Sequence, residues 1–205
     1  MLKVLFAGAT AGVLSMPTKY QVFADWDVIN HSALDFLNQY KLSTIRKVSE
    51  TSRNQTIKAI DAWIRSGDPL PSLVDRLEPI YGDARAKRIA VTEVTRVYAE
   101  GNTMSWQSSG VVKQATFHTS EDEKVCEICS PLDGEVVDVD DYGRKPPLHV
   151  LCRCWQTPVV DVDLVGEKVR GILGTPPALA YSVDELMDKF MVIHRLTRQT
   201  HVHHH

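Results

Sequence analysis

The sequence predicts an α+β fold, in which an N-terminal helical region is followed by a small β module and a C-terminal helix. Apolar residues recur mainly at three- and four-residue steps as far as residue 110, and at two-residue steps directly after it. All four cysteines lie in the later stretch. These changes predict three parts: a helical region at 1–110, a β module at 111–160, and a linker, C-terminal helix and tail at 161–205.

Composition bounds the size of the core and the kinds of partner. A chain of 205 residues with 43% apolar residues is long enough for one good core with a satellite module. The formal charge of -3 gives no general attraction to nucleic acid or to anionic membranes. Any such contact would therefore be a local patch.

The first residues form a short apolar run that superficially resembles a secretory signal. Gly8 and Gly12 interrupt the run, which is much shorter than the roughly 20 residues needed to span a bilayer. We therefore predict a small-residue helix packed in an interface, with no membrane required for folding. The histidine-rich end, residues 201–205, is treated as a terminal tail and excluded from metal binding.

Residues 31–66 carry apolar side chains at helical spacing. This pattern predicts one amphipathic helix or two helices in line. Asn30 or Ser32 is the expected N-cap, and Gly67-Asp68-Pro69 is expected to end the helix. The polar middle, residues 49–56, suits an exposed surface or a surface that lies against a partner.

A short helix and a longer one are predicted next. Residues 71–80 predict the short helix, with these apolar residues facing inward: Leu70, Leu73, Val74 and Leu77. Residues 83–98 predict the longer helix, with an apolar stripe of Ala86, Ile89, Ala90, Val94 and Val97. Gly101-Asn102 is expected to stop or kink this helix before a further turn around residues 104–108.

Glu93 and Arg96 stand three residues apart on the longer helix, as an ion pair requires. A carboxylate in a helix can also be a catalytic base. No second carboxylate, histidine or nucleophile stands at a matching helical step. We therefore favour a structural salt bridge.

After Gly110 the alternation of residues 111–118 predicts a β-strand. Residues 132–139 predict a turn on Asp-Gly and a second strand. The last strand is expected at 152–159, after a proline pair that fixes an extended approach to His149.

The strongest chemical signal is a cluster of cysteine and histidine. Cys126 and Cys129 form one pair, and His149, Cys152 and Cys154 follow about twenty residues later. Thiolate sulfur and imidazole are ligands that tetrahedral zinc prefers, so we predict a structural zinc site in a zinc-ribbon-like hairpin. Cys126 and Cys129 are the surest ligands. His149 is joined by Cys152 or Cys154, and we favour Cys152 because the three-residue step suits a single turn.

Other chemistries remain open for this cluster. Two disulfides or free thiols are one alternative, and thiol redox catalysis is another. His118 is a further candidate ligand, although a lone histidine on a strand is more often a packing residue. If the ion takes Cys152, Arg153 is directed away from it and is expected to pair with Asp122 or Asp133. Three acids lack the spacing of a calcium loop and are interpreted as solvated turn residues: Asp138, Asp140 and Asp141.

The end of the chain predicts a flexible link at 171–177 and a final amphipathic helix at 183–197. The apolar residues on one face of that helix are Leu186, Phe190, Ile193 and Leu196. No chemistry is evident there.

Several motifs occur in one order, which is more specific than any of them alone. They are a helical run at 85–96, then 122–129, 132–134, 146–149 and Cys152-Arg153-Cys154. Over residues 20–158 this order resembles the Mu F-like head morphogenesis family, the minor head proteins of tailed phages. Phe117 stands where the family usually has tryptophan, and Val150 where it often has proline, but neither is a ligand.

The resemblance implies a non-catalytic protein that binds the portal protein inside the capsid and acts in head assembly and genome ejection. It implies a place in the virion, and in the host cytoplasm during assembly. Packaged double-stranded DNA and self-association are further candidate partners. The segment before Tyr20 resembles the remainder of a longer helix in relatives, as expected of a fragment or a prophage gene product.

Two other classes of function compete with this one. A small zinc-dependent nuclease needs an open metal position and a histidine base, whereas the ligands here enclose the ion. The resemblance also allows a toxin-associated module, because relatives occur fused ahead of toxin domains, but the tail here is too short for an independent toxin. A DNA-binding module would use basic residues of the long helix: Lys41, Arg46, Lys47, Arg53 and Lys58. With a negative net charge such residues are usually the solvated face of a helix.

Overall fold

The computed structural model describes residues 2–39, 48–66, 68–120, 122, 124–174, 182–185, 187–188 and 190–191. Six α-helices and three strands are complete within these residues. In chain order they are α1 (Leu2–Ser15), α2 (Trp26–Gln39), α3 (Glu50–Ser66), α4 (Leu70–Tyr81), α5 (Asp83–Ser109), β1 (Val112–His118), β2 (Val136–Asp138), β3 (Trp155–Val160) and α6 (Val162–Leu173). This mixture of helices with a small sheet agrees with the expected α+β class. Among the described helices, none is long and apolar enough to cross a membrane.

Helix α5 is the longest element, and most of the others are assembled on it. Its 27 residues extend about 40 Å. It packs against α1, α2, α4, β1 and β3. Its first half closes an apolar cluster with α3 and α4, formed by Ile60, Leu73, Leu77, Ala86, Ile89 and Ala90. The predicted inward face of α4 is therefore confirmed, with Leu70 and Val74 half-buried beside this cluster.

Of the predicted stop or kink at Gly101-Asn102, the stop is wrong, because α5 continues through these residues to Ser109, and the expected helical turn at 104–108 belongs to the same helix. A Cβ on Gly101 would lie 2.1 Å from the carbonyl oxygen of Leu5, and one on Gly8 would lie 2.2 Å from that of Tyr98. These glycines let the backbones of α1 and α5 touch. The helix ends instead at Gly110, whose φ of 68° is left-handed.

The contact between α1 and α5 also includes a hydrogen bond. The indole Nε1 of Trp106 donates to the carbonyl oxygen of Gly12 at 3.0 Å, across 94 residues of sequence. Trp106 is fully buried in the main core, together with residues of the first strand and of α6. The predicted small-residue helix at an interface is therefore confirmed for α1.

The expected cap of the second helix is wrong. Helix α2 begins at Trp26, and the carboxylate of Asp25 accepts from the backbone N–H groups of Asp27 at 3.0 Å and Val28 at 3.1 Å. Asn30 and Ser32 lie inside the helix. An aspartate one residue before the first turn satisfies its free N–H groups, so the helix starts earlier than the apolar spacing indicates.

The stretch at 31–66 gives two helices, because α3 has its own start. Ser49 Oγ accepts from the backbone N–H of Ser52 at 3.1 Å. The polar middle of the stretch is partly buried, since Thr56 is fully enclosed and its hydroxyl lies 2.6 Å from that of Tyr81 on α4. Residues 40–47 lie outside the described part of the chain, as does Gly67.

The three strands form one antiparallel sheet in the order β2-β1-β3. Ala115 lies opposite Val137 on one side and Pro158 on the other. The pairing of β1 with β3 shifts register between Val112 and Gln114, as a bulge does. The bulge breaks the expected alternation, so that Val112 is buried and Lys113 exposed.

The chain after the sheet differs from expectation. The last strand begins at Trp155 rather than at Cys152. Helix α6 was not predicted, and its residues 171–173 lie where a flexible link was expected; residues 175–177 of that link lie outside the described chain. Asp161 starts the helix by accepting from the N–H groups of Asp163 and Leu164. Residues 183–185, 187–188 and 190–191 are helical, in agreement with the final helix, and the rest of 183–197 lies outside the described residues. Phe190 is buried in the main core.

Candidate metal centre

The first cysteine pair lies in the connection between β1 and β2. The backbone N–H groups of Cys129 and Ser130 donate to the carbonyl oxygen of Cys126 at 3.1 and 2.9 Å. These bonds close a turn that brings the two cysteines together. The connection is fastened to β1 where the N–H of Gly134 donates to Phe117 O at 2.8 Å.

The second half of the site is another tight turn. The N–H of Cys152 donates to the carbonyl oxygen of His149 at 3.2 Å. Leu151 between them has a φ of 65°, in the left-handed region that few residues with a side chain adopt. His149 Nδ1 lies 2.8 Å from the carbonyl oxygen of Val150, so its Nε2 is the nitrogen that faces the cysteines.

The donor atoms of the two halves meet at metal-binding distances. His149 Nε2 lies 3.1 Å from Cys126 Sγ and 3.2 Å from Cys129 Sγ, and Cys129 Sγ lies 3.9 Å from Cys152 Sγ. In a tetrahedral zinc site the ligand atoms are roughly 3.5 to 3.8 Å apart, given bonds of about 2.3 Å to sulfur and 2.0 Å to nitrogen. This Cys/His cluster can therefore hold a metal ion after only small adjustments.

Five donors form two overlapping groups. Cys126, Cys129 and His149 make one, and Cys129, Cys152 and Cys154 make the other; within each, the donor atoms lie within 4.8 Å of one another. Cys129 belongs to both. All five predicted site residues are thus brought together, and the choice between Cys152 and Cys154 as the fourth ligand stays open.

The thiol chemistry also suits a cation. The backbone N–H of Cys129 is the main cause that lowers the pKa of Cys126. Burial raises the pKa of Cys129, and it raises that of Cys154 to about 11. Neighbouring thiolates that are partly shielded from water repel one another, so the charged form of this cluster calls for a positive ion among them.

Little apolar packing supports the turns. Phe117 from β1 is fully buried against Cys129, Cys152 and Cys154, with only half-buried neighbours around this cluster: Val125, Cys126, Leu132 and Leu148. Three buried cysteines and one phenylalanine make a very small core. Most of this small core is therefore made by the donor cysteines themselves.

An ion pair joins the flanks of the two turns, as expected. Arg153 donates from Nη1 and Nη2 to the two carboxylate oxygens of Asp122 at 2.6 and 2.7 Å. These hydrogen bonds hold the pKa of Asp122 well below its usual range. The other expected partner, Asp133, instead accepts from the N–H and the hydroxyl of Thr119 at 2.7 and 3.0 Å.

The remaining sequence candidates are packing or turn residues. His118 Nε2 lies 2.8 Å from Thr157 Oγ1, and its ring stacks on Trp155 with the centroids 4.3 Å apart. Asp140 accepts from Gln107, and Asp141 accepts from the N–H of Gly143. His118 and these exposed acids are not among the candidate metal donors of the described chain.

Glu93 and Arg96 form the expected pair on α5, but at long range. Arg96 Nε lies 3.9 Å from Glu93 Oε2, and the Glu93 side chain is only 2% exposed. Burial raises the pKa of Glu93 to about 7, and the charge of Arg96 opposes this only in part. The carboxyl group therefore keeps its proton to a higher pH than an ordinary glutamate does.

Two contacts with α5 were missed by the sequence analysis. Thr92 Oγ1 accepts from the N–H of Leu151 at 3.1 Å, and Lys145 Nζ donates to Glu100 at 2.8 Å. Both contacts join residues far apart in the chain. Nothing in the local spacing of either pair indicates them.

Comparison with known proteins gives one result. The model of a family described as Phage Mu protein F like protein matches residues 46–157, which is more than half of the chain. The matched stretch contains all five donors. No curated protein and no solved structure matches the chain.

Proposed function

Because the chain belongs to the Mu F-like head morphogenesis family of structural phage head proteins, we propose that it is a minor head protein that binds the portal protein inside the capsid. In this role it acts in head assembly and genome delivery, first in the host cytoplasm and then in the virion. The observation that carries the proposal is the extent of the family match, which runs from α3 to β3 and includes both cysteine turns.

We further propose that the cluster binds one structural zinc ion. Cys126, Cys129 and His149 are three of the ligands, and Cys152 or Cys154 is the fourth. Sulfur and imidazole donors are those that zinc takes in closed, four-coordinate sites. The small core around Phe117 supports this role, because such a core gives the turns little other reason to stay together.

A closed site is also why we propose no enzymatic activity. A zinc nuclease needs an open coordination position and a free histidine base beside it. Here five donors are present for the four positions of a tetrahedral ion. The ring of His118 contacts the hydroxyl of Thr157 and stacks on Trp155, so it is not a free base. Purified protein with added magnesium or zinc should leave supercoiled plasmid intact, whereas nicking that His149→Ala abolishes without unfolding would establish a nuclease.

Packaged DNA is a weaker candidate partner. Arg53 and Lys58 lie on α3 and the Lys58 side chain is exposed, but the other three predicted basic residues fall outside the described part of the chain. A salt-dependent shift of duplex DNA would support this contact. No shift at low ionic strength would eliminate it.

The decisive experiment is association with a portal protein from the same genome as this chain. The two proteins are co-expressed, and the portal is purified by its own affinity tag; a portal protein of an unrelated phage is the control. We expect co-elution with the cognate portal alone, and a stable complex in size-exclusion chromatography. Absence of a complex at micromolar concentration would count against portal binding.

A further inference from the structure

We propose that helix α5 positions the second turn of the metal site, through Thr92 and Glu100. This inference rests on the proposed zinc centre and goes beyond it. Thr92 and Glu100 are not ligands. They hold the segment that carries His149 and Cys152, and thereby decide whether those ligands reach the ion.

The first contact acts on the backbone of the turn itself. Leu151 is left-handed, a conformation that a leucine adopts only when its surroundings impose it. Its N–H donates to the hydroxyl of Thr92, which is 5% exposed on α5. The next N–H along the chain, that of Cys152, closes the turn on His149. Thr92 therefore contacts the turn at Leu151, the residue whose backbone conformation is unfavourable.

The second contact fixes the start of the same segment. Lys145 Nζ lies 2.8 Å from Glu100 Oε2, and the two side chains are mostly buried. The ring of Tyr142 also lies 4.1 Å from that ammonium. Thr92 and Glu100 are eight residues apart on α5, which corresponds to about 12 Å along the helix. Residues 145–151 are thus tied to α5 at both ends.

The two halves of the site consequently depend on different elements. Cys126 and Cys129 are placed by the connection that leaves β1, whereas the segment that carries His149 and Cys152 is tied to α5 in addition to its contacts with Phe117 and Asp122. A metal ion bridges these elements only if the two turns are held at the correct separation. Loss of the Thr92 contact should therefore weaken metal binding although every ligand is still present, as happens when partners beyond the ligands are removed.

The test measures zinc affinity by competition with a chromophoric chelator. Thr92→Val removes the acceptor while retaining the shape, and Thr92→Ser restores a hydroxyl. Thr103→Val is the matched control, because Thr103 is 1% exposed on the same helix and its hydroxyl donates to Ala99 within that helix. We expect roughly tenfold weaker binding or more for Thr92→Val, and binding near that of the original protein for Thr92→Ser and Thr103→Val.

Equal zinc affinity of Thr92→Val and Thr103→Val would overturn the inference. Circular dichroism in the presence of zinc establishes that each variant is folded. If Thr92→Val does not fold, the zinc affinity of Glu100→Gln is the test of the inference, because this change removes only the charge that holds Lys145. A zinc affinity of Glu100→Gln equal to that of the original protein would refute the role of α5. If the original protein itself binds no zinc, the proposed metal centre fails, which is a different result.

Discussion

The guanidinium of Arg153 and the carboxylate of Asp122 form a two-point contact, with hydrogen bonds of 2.6 and 2.7 Å. Arg153 lies between the last two cysteines, and Asp122 precedes the first pair by only a few residues. The contact therefore ties together the entrance of one turn and the exit of the other, on the solvent side of the donors.

The first prediction concerns this pair. Asp122→Asn and Arg153→Gln should each speed the loss of zinc to a chelator by a similar factor of a few-fold, because either change ends the same contact. The double variant should be no faster than the single ones. Arg76→Gln, which breaks the pair with Asp68 between α3 and α4, is the control and should leave the rate unchanged. Additive effects of the two changes would show that the residues act separately.

The second prediction concerns pH. The folded pKa of Glu93 is about 7 against an ordinary value of 4.5, so the folded protein keeps a proton that the unfolded chain has already lost. Its contribution to stability therefore becomes less favourable as pH rises from 4.5 to 7, by up to about 3 kcal/mol. Glu93→Gln should be more stable than the original protein above pH 7, and the gain should vanish below pH 4.5. Urea unfolding across this range measures the difference, and a gain independent of pH would refute it.

The third prediction separates the two candidate fourth ligands. Cys152 Sγ lies 3.9 Å from Cys129 Sγ, near the spacing of two tetrahedral ligands. We expect Cys154→Ser to retain zinc with modest destabilisation, and Cys152→Ser and His149→Ala to lose it. Elemental analysis after gel filtration gives the zinc content per chain. If Cys152→Ser retains zinc and Cys154→Ser loses it, Cys154 is the fourth ligand.

The fourth prediction concerns loss of the metal. Cys126→Ser or Cys129→Ser should release zinc and unfold the β module, because structural zinc supplies about 10 kcal/mol or more to small folds of this kind. The helices should remain largely formed. Far-UV circular dichroism should therefore change little, while hydrogen exchange should accelerate around Phe117. If the purified original protein contains much less than one zinc ion per chain, the premise of a structural zinc site is contradicted.

The fifth prediction concerns the contact between α1 and α5. Gly101→Ala forces a methyl group to within 2.1 Å of the Leu5 carbonyl oxygen, so we expect destabilisation of at least 1 to 3 kcal/mol, roughly the range for overpacking. Gly171→Ala on α6 is the control. A Cβ there meets nothing within 4 Å, and the change should stabilise the helix by up to about 1 kcal/mol. Thermal unfolding of both variants measures these opposite shifts.

Local patterns predicted the existence of most helices and the grouping of the five donors, but not α6. The stripe on α4 and the Cys and His spacing depend on residues close in sequence, where helix and turn geometry are almost fixed. The prediction at Gly101 failed because a glycine can either end a helix or allow another helix to pack closely against it. The helix that packs here is α1, at Leu5, almost a hundred residues away in the sequence. Asp25 as a cap was missed because apolar spacing alone placed the start of α2 too late.

The contacts that hold the site were the least predictable. A hydroxyl such as that of Thr92 looks the same in sequence whether it faces its own helix or another segment. Arg153 was an exception, because a permanently charged side chain directed away from the ion was expected to pair with Asp122 or Asp133, and it pairs with Asp122. The division of the chain at residues 110 and 160 stays a prediction, and the packing of Val112 with Trp106 in one core shows how closely the first two parts are joined.

The bond from Trp106 to Gly12 has a consequence for the order in which the molecule is made. The two residues are separated by 94 positions, and ribosomes add about 5 to 20 residues each second. Gly12 is therefore synthesised roughly 5 to 20 seconds before Trp106, whose indole bonds to it. During that interval α1 can pack against α2 but not against α5, so the side of α1 that carries Gly8 and Gly12 has not yet met the backbone that covers it in the folded chain.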